Sequence, residues 1–187
     1  MDFNDLSLVK LKLETEIKDF SCGDSIGEQD LNNFLFTKAK LYHKQLLATT
    51  YILENQDSTI AYFSIFNDSL RVQEELFASQ NSLLRTLKEI VPHGKRHLEF
   101  FPAIKIGRLA VSSTIQKSGL GRTIVNYVIS HAIDVNKSCA CKFITIDAYA
   151  ASLEFYEKLG FKYLTPKDSG KEERQMFLDL TPIINSI

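Results

Sequence analysis

The chain has 187 residues, of which 44% are hydrophobic and 24% charged, with 22 basic against 23 acidic side chains and a net charge of −1. A chain of that length buries about 70% of its unfolded surface, so its core needs no disulfide or metal to hold it. The even charge excludes a polycationic nucleic-acid binder, leaving at most a local basic patch, and no apolar run reaches the ~18 residues of a membrane span.

In chain order, the acid in MDFNDLSLVKLKL stands where a signal peptide carries base, and the alternation in LVKLKLE predicts a half-buried strand over 8–14. Apolar residues at helical spacing (Leu31, Phe34, Leu35, Ala39, Tyr42 and Leu46) predict a helix over 28–47, with Asp24 or Ser25 capping a turn before it. Two β-rich runs, 49–54 and 59–66, flank the turn signal NQDS and predict a hairpin. A second helix is expected over 74–91, stopped by Pro92 and Gly94, and PHGKRHLEFFP then reads as irregular. A strand follows over 103–111, and a helix from Gly119 to about Asn136 carries Leu120, Ile124, Val128 and Ala132 in one row. KFITIDAY is a strand, ASLEFYEKLG a short helix stopped by Gly160, and FKYLT and QMFLDL the last two strands. This order predicts a mixed α/β domain over 1–187, with one central sheet, helices on both faces, and a helical insertion at about 70–102 between the third and fourth strands.

Three cysteines make no disulfide framework. Cys139-x-Cys141 with His131 nearby has ligand chemistry but no second pair, so reduced thiols, no metal and a cytoplasmic location are expected.

The stretch IGRLAVSSTIQKSGLGRTIVNYVI carries the chemistry. It runs from a strand through a polar turn into a helix, with Gln116-x-x-Gly119-x-Gly121 at the helix mouth. A Walker loop is excluded by spacing and by the missing lysine, and a dinucleotide fingerprint by Ile124 where a third glycine is needed. A turn whose successive N–H groups feed a helix N-terminus remains suited to a pyrophosphate.

IGRLAVSSTIQKSGLGR followed by FITIDAYAASLEFYEKLGFKYL resembles the GCN5-related N-acetyltransferase (GNAT) superfamily. The first half is similar to its phosphate motif, through Gln116, Gly119 and Gly121; the second half is similar to its Phe-Tyr-x-x-x-Gly-Phe signature, through Phe155, Tyr156, Gly160 and Phe161. The resemblance implies acetyl-CoA as cosubstrate. Its pantetheine arm would pair with the backbone of Leu109, Ala110 and Val111, and its pyrophosphate would lie on Gln116, Lys117, Ser118, Gly119, Leu120, Gly121 and Arg122. Lys117 replaces a glycine frequent in that family, Ser118 a basic residue, Ser112 an acid and Tyr149 an asparagine; these changes bear on side-chain contacts rather than on the backbone cradle.

Tyr156 is the candidate catalytic acid, because expulsion of a thiolate calls for a proton donor and a phenol near pKa 10 can serve. Candidates for the base are Glu99, Asp147 and water. The leading expectation is direct acetyl transfer to a primary amine of a small molecule, peptide or protein. Behind it stands acetylation of aminoacyl-tRNA. The GRLAV segment, the F-x-C-G at Phe20 and the long insertion resemble the bacterial tRNA-acetylating toxins, whereas the balanced charge offers only His93, Lys95, Arg96, His97, Lys38, Lys40 and Lys44 as a basic stripe. A third reading is a non-catalytic acyl-CoA-binding or interaction module. The apolar insertion would cover the site or form a homodimer face.

Overall fold

A computed structural model of the chain describes residues 5–71 and 100–186. Strand β1 (Ser7–Lys10) leads to helix α1 (Ile26–Asn33), which continues through a π-helical turn (Phe34–Lys38) into α2 (Ala39–Lys44). Strands β2 (Thr49–Glu54), β3 (Thr59–Arg71) and β4 (Phe100–Val111) precede helix α3 (Leu120–Val135). Then come β5 (Phe143–Tyr149), a 3-10 turn (Ala150–Ser152), α4 (Leu153–Glu157), β6 (Lys162–Tyr163), β7 (Glu173–Asp179) and α5 (Thr181–Ile184). The strands form one seven-stranded mixed sheet in the order β1-β2-β3-β4-β5-β7-β6, flanked by helices. The pair β4–β5 is parallel, while β1–β2, β2–β3, β5–β7 and β6–β7 are antiparallel.

The chain divides into two compact units, one of residues 1–66 with 106–130 and the other of 67–105 with 131–187. The first is built around Leu11, Phe20, Phe34, Leu35, Ile52 and Tyr62. Leu35 and Ile52 are fully enclosed, as the alternation of β2 and the spacing of the first helix require. Thr50 and Ser64, opposite each other on β2 and β3, are buried polar residues that satisfy one another through a 2.7 Å hydroxyl bond. In α3 the row Leu120, Ile124, Val128 and Ala132 is buried together with Val125, giving the broad apolar stripe expected from its period.

The second unit is built around Leu70, Phe101, Ala103, Phe143, Leu164 and Phe177. Phe143 meets Phe101 and Phe177 edge-to-face, at ring separations of 6.0 and 5.6 Å. Four successive residues of β5, Phe143, Ile144, Thr145 and Ile146, are buried, as befits an interior strand with a parallel neighbour.

Several boundaries differ from expectation. The first strand ends at Lys10 rather than at Glu14. The first helix starts at Ile26, two residues early, because Ser25 and Glu28 form a capping box, and it ends at Lys44 ahead of a left-handed Leu46 (φ 57°). The third strand runs on to Arg71, and Phe100, Phe101 and Pro102 belong to β4 rather than to an irregular segment. The last helix was not expected. The helix over 74–91, the basic cluster at 93–97 and Glu99 lie outside the described residues.

Candidate functional site

The turn between β4 and α3 is built by local chemistry. The Ser112 N–H donates to the Ile60 carbonyl at 2.8 Å, and Ile115 N–H to the Ser112 carbonyl at 3.0 Å. The chain then takes left-handed backbone at Lys117 (φ 64°) and at Gly119 (φ 94°) before α3 begins. Among the described residues no acceptor meets the N–H groups of Lys117, Gly119, Gly121 or Arg122, and that of Leu120 has only the Ser118 hydroxyl at 3.4 Å. The first intrahelical bond runs from Thr123 N–H to the Gly119 carbonyl at 3.2 Å. A Cβ placed on Gly119 would meet nothing within 4 Å, so the glycine answers to its backbone angle and to the open space above it, not to a packed neighbour. Free N–H groups, an open glycine, a helix start and the exposed Lys117 and Arg122 fit a diphosphate.

Upstream, the pairing of β4 with β5 ends at Lys105↔Thr145, while β4 itself continues to Val111. Ala110 is buried in the core of the first unit and Leu109 and Val111 are half-buried. Beyond Lys105, that edge of β4 carries main-chain groups without a β5 partner among the described residues, the condition needed for an extended amide-bearing ligand to pair with it.

Gln116 is engaged by the protein itself. Its Nε2 donates to the Cys22 carbonyl at 2.6 Å and lies 3.3 Å from the Val111 carbonyl. Arg108, one residue before Leu109, ion-pairs with Asp30 at 3.3 Å, donates to the Gly107 carbonyl at 2.8 Å and lies over the Phe34 ring at 5.2 Å. Its Nε is enclosed without an acceptor among the described residues. The half-buried setting of Arg108 has no local sequence signal, because Asp30 and Phe34 are distant in sequence. The same is true of the Gln116 tie to Cys22.

Tyr156 lies in the second unit, on α4, 5% exposed and packed edge-to-face against Phe155 and Phe161 at 4.8 and 5.4 Å. Burial pushes its phenol above the ordinary tyrosine value, so it is a protonated acid at neutral pH. Its hydroxyl has no partner among the described residues and is not among their fully enclosed polar atoms. Asp147 is held by Lys105 at 2.5 Å, so its carboxylate is already engaged.

The thiols are poorly placed for covalent chemistry. Cys22 Sγ donates to Asn32 Oδ1 at 3.2 Å and to the Glu28 carbonyl at 3.4 Å, and burial raises its pKa to about 11. Cys141 is buried and its pKa is likewise raised by burial, while Cys139 is exposed. Among the described residues no three His, Cys, Asp or Glu side chains gather as a metal site, and no helix is long and apolar enough to cross a membrane.

Comparison with known proteins places this geometry in context. Residues 54–175, well over half of the chain, match the family described as an acetyltransferase (GNAT) domain. No curated protein matches the chain. Among solved structures it is similar to a tyrosine-to-phenylalanine mutant of KacT, with 18% identity, 98% of this chain and 99% of that one covered, and a TM-score of 0.75. It is similar to AtaT complexed with acetyl-methionyl-tRNAfMet, with 21% identity, 96% and 97% covered, and a TM-score of 0.72. A mutant AtaT toxin bound to the C-terminus of the antitoxin AtaR and acetyl-CoA gives 19% identity, 98% of both chains and a TM-score of 0.71. With well over half of the chain matching this family, the protein belongs to the GNAT acetyltransferases and is an acetyl-CoA-dependent N-acetyltransferase.

Proposed function

We propose that the chain acetylates the α-amine of an aminoacyl-tRNA, as a toxin of the AtaT and KacT kind. The sequence put other primary amines first. What supports reversing that order is the likeness, over 96% of this chain, to AtaT complexed with acetyl-methionyl-tRNAfMet. The free N–H groups of Lys117, Gly119, Gly121 and Arg122 hold the diphosphate of acetyl-CoA, and the backbone of Leu109, Ala110 and Val111 pairs with the pantetheine amides. Side chains of Lys117 and Arg122 add positive charge.

In the reaction, the neutral amine attacks the thioester carbonyl; a C–N bond forms and the C–S bond breaks. Tyr156 gives its phenolic proton to the departing thiolate, and the proton lost by the amine passes to water. Tyr156 regains a proton from solvent. Transfer is direct. With Cys22 hydrogen-bonded and its pKa near 11, that thiol supplies no nucleophile for an acetyl-enzyme.

The test is acceptor choice. Labelled acetyl-CoA is incubated with the protein and a panel of charged tRNAs, deacylated tRNA, small amines and peptides. The expected result is label on aminoacyl-tRNA alone, removed by mild base that cleaves the aminoacyl ester. Label confined to small amines or peptides would overturn the acceptor. Tight acetyl-CoA binding with no thiol release against any acceptor would return the chain to the non-catalytic reading.

A further inference from the structure

Residues 21–23, just ahead of α1, are held from two sides. On the helix side, the Cys22 N–H donates to Asn32 Oδ1 at 2.9 Å, and Asn32 Nδ2 donates back to the Gly23 carbonyl at 3.0 Å. On the other side, the Ser113 N–H donates to the Ser21 carbonyl at 2.9 Å and Gln116 Nε2 to the Cys22 carbonyl at 2.6 Å. The same nitrogen faces the Val111 carbonyl at 3.3 Å. One amide thus spans the end of β4, the loop before α1 and the turn to which it belongs.

The residue after it explains why this matters. Lys117 has a φ of 64°, a conformation that a side-chain-bearing residue seldom adopts and that its surroundings must impose. The N–H groups proposed to receive the diphosphate begin there. Carbonyl oxygens only accept, and a glutamine NH2 carries two hydrogens, one for each carbonyl. The Ser25 N–H donates to Glu28 Oε2 at 2.9 Å and the Cys22 thiol to the Glu28 carbonyl at 3.4 Å, so the segment that Gln116 holds leads directly into the α1 cap.

We propose that Gln116 is a positioning residue, which never touches the cosubstrate but fixes the N–H groups of 117–122 and ties that turn to the start of α1 through the Cys22 carbonyl. The inference rests on the phosphate-site reading above. Binding at the turn therefore steadies the cap of α1, and removing the amide donor uncouples the two.

The experiment uses the full chain, calorimetry with CoA and hydrogen exchange with and without saturating CoA. In the wild type, CoA slows exchange of the amides at 117–122 and of Ser25 and Glu28. Gln116→Glu, which sets a carboxylate against two carbonyls, is expected to raise the Kd for CoA roughly tenfold and to erase the protection at Ser25 and Glu28 even at saturation. Gln116→Arg keeps the donors and restores both affinity and protection. Gln116→Ala serves if the glutamate variant does not fold. A Gln116 variant with wild-type Kd and wild-type protection overturns the inference, as does a lowered melting temperature without any change in either. Gly119→Glu separates the two readings. If it binds CoA like the wild type, the phosphate site itself is wrong. If it loses CoA while Gln116 variants behave as wild type, only the role of Gln116 falls.

Discussion

Two residues proposed for the site would serve it on opposite terms. Gly119 matters for what it lacks: its φ of 94° and the empty space above it suit a ligand, so Gly119→Ala and Gly119→Glu share a backbone penalty of about 1–2 kcal/mol. Only the glutamate adds negative charge. The alanine variant should therefore keep measurable CoA binding by calorimetry, and the glutamate variant should have none. Tyr156 matters for the proton that burial holds in place. Tyr156→Phe should lower kcat on the order of 10²-fold while leaving the Kd for acetyl-CoA unchanged; wild-type turnover would reduce it to a packing residue. The same burial has a stability signature. A raised phenol binds its proton more tightly in the folded state, so its contribution is whole below pH 10 and falls as pH rises above that value. Urea titrations between pH 9 and 11 should show a shallower loss in Tyr156→Phe, with the remainder from Tyr51, Tyr163, Cys22 and Cys141, which burial also raises, and from Lys137, raised by Asp134. Both residues could be singled out in sequence because their motifs are local. The setting of Arg108 was not legible there, since it comes from Asp30 and Phe34, brought to it by α1 and the π turn.

At the scale of elements, legibility followed the range of the forces. The hairpin bounds at Thr49, Glu54 and Thr59 matched because turn chemistry and alternation fix them. The π turn at Phe34–Lys38 did not, because one extra residue per turn hardly disturbs an apolar spacing. Its effect is to turn Phe34 and Leu35 inward together, with the Thr37 hydroxyl donating to the Asn33 carbonyl at 2.7 Å. Likewise the second β-rich run was expected to end at residue 66, yet β3 continues to Arg71. Asp68 accepts from the buried Thr145 hydroxyl at 2.7 Å, and Leu70 is enclosed in the core of the second unit. Tertiary partners override local preference there. The α1 cap makes the testable case: Ser25→Ala removes the acceptor for Glu28 N–H and should cost about 1 kcal/mol at pH 7. The Glu28 carboxyl, lowered chiefly by the Ser25 hydroxyl, contributes above its usual value of 4.5 and ceases to as pH falls below it. The deficit measured by urea unfolding should accordingly narrow at pH 3; an equal deficit at both pH values would mean that the box contributes no charge-dependent stability.

At the scale of the molecule, the chain passes between its two compact units at 66/67, 105/106 and 130/131. These crossings fall inside β3, β4 and α3 rather than in linkers. A boundary that cuts hydrogen-bonded elements is unlike the exposed, flexible segments at which independent domains meet. We therefore propose that residues 1–187 unfold as one domain. Amide exchange across a urea series reads this directly, comparing Ile52 and Tyr62 of the first unit with Phe143 and Phe177 of the second. A single domain gives all four the same free energy of opening and the same urea dependence. The ligand sharpens the comparison, since the 117–122 turn belongs to the first unit alone. CoA at a hundredfold above its Kd should add about 2.7 kcal/mol to the opening energy of all four amides. Protection gained at Ile52 and Tyr62 but not at Phe143 and Phe177 would mean that the units open separately, and that strands shared along their length do not enforce a common transition.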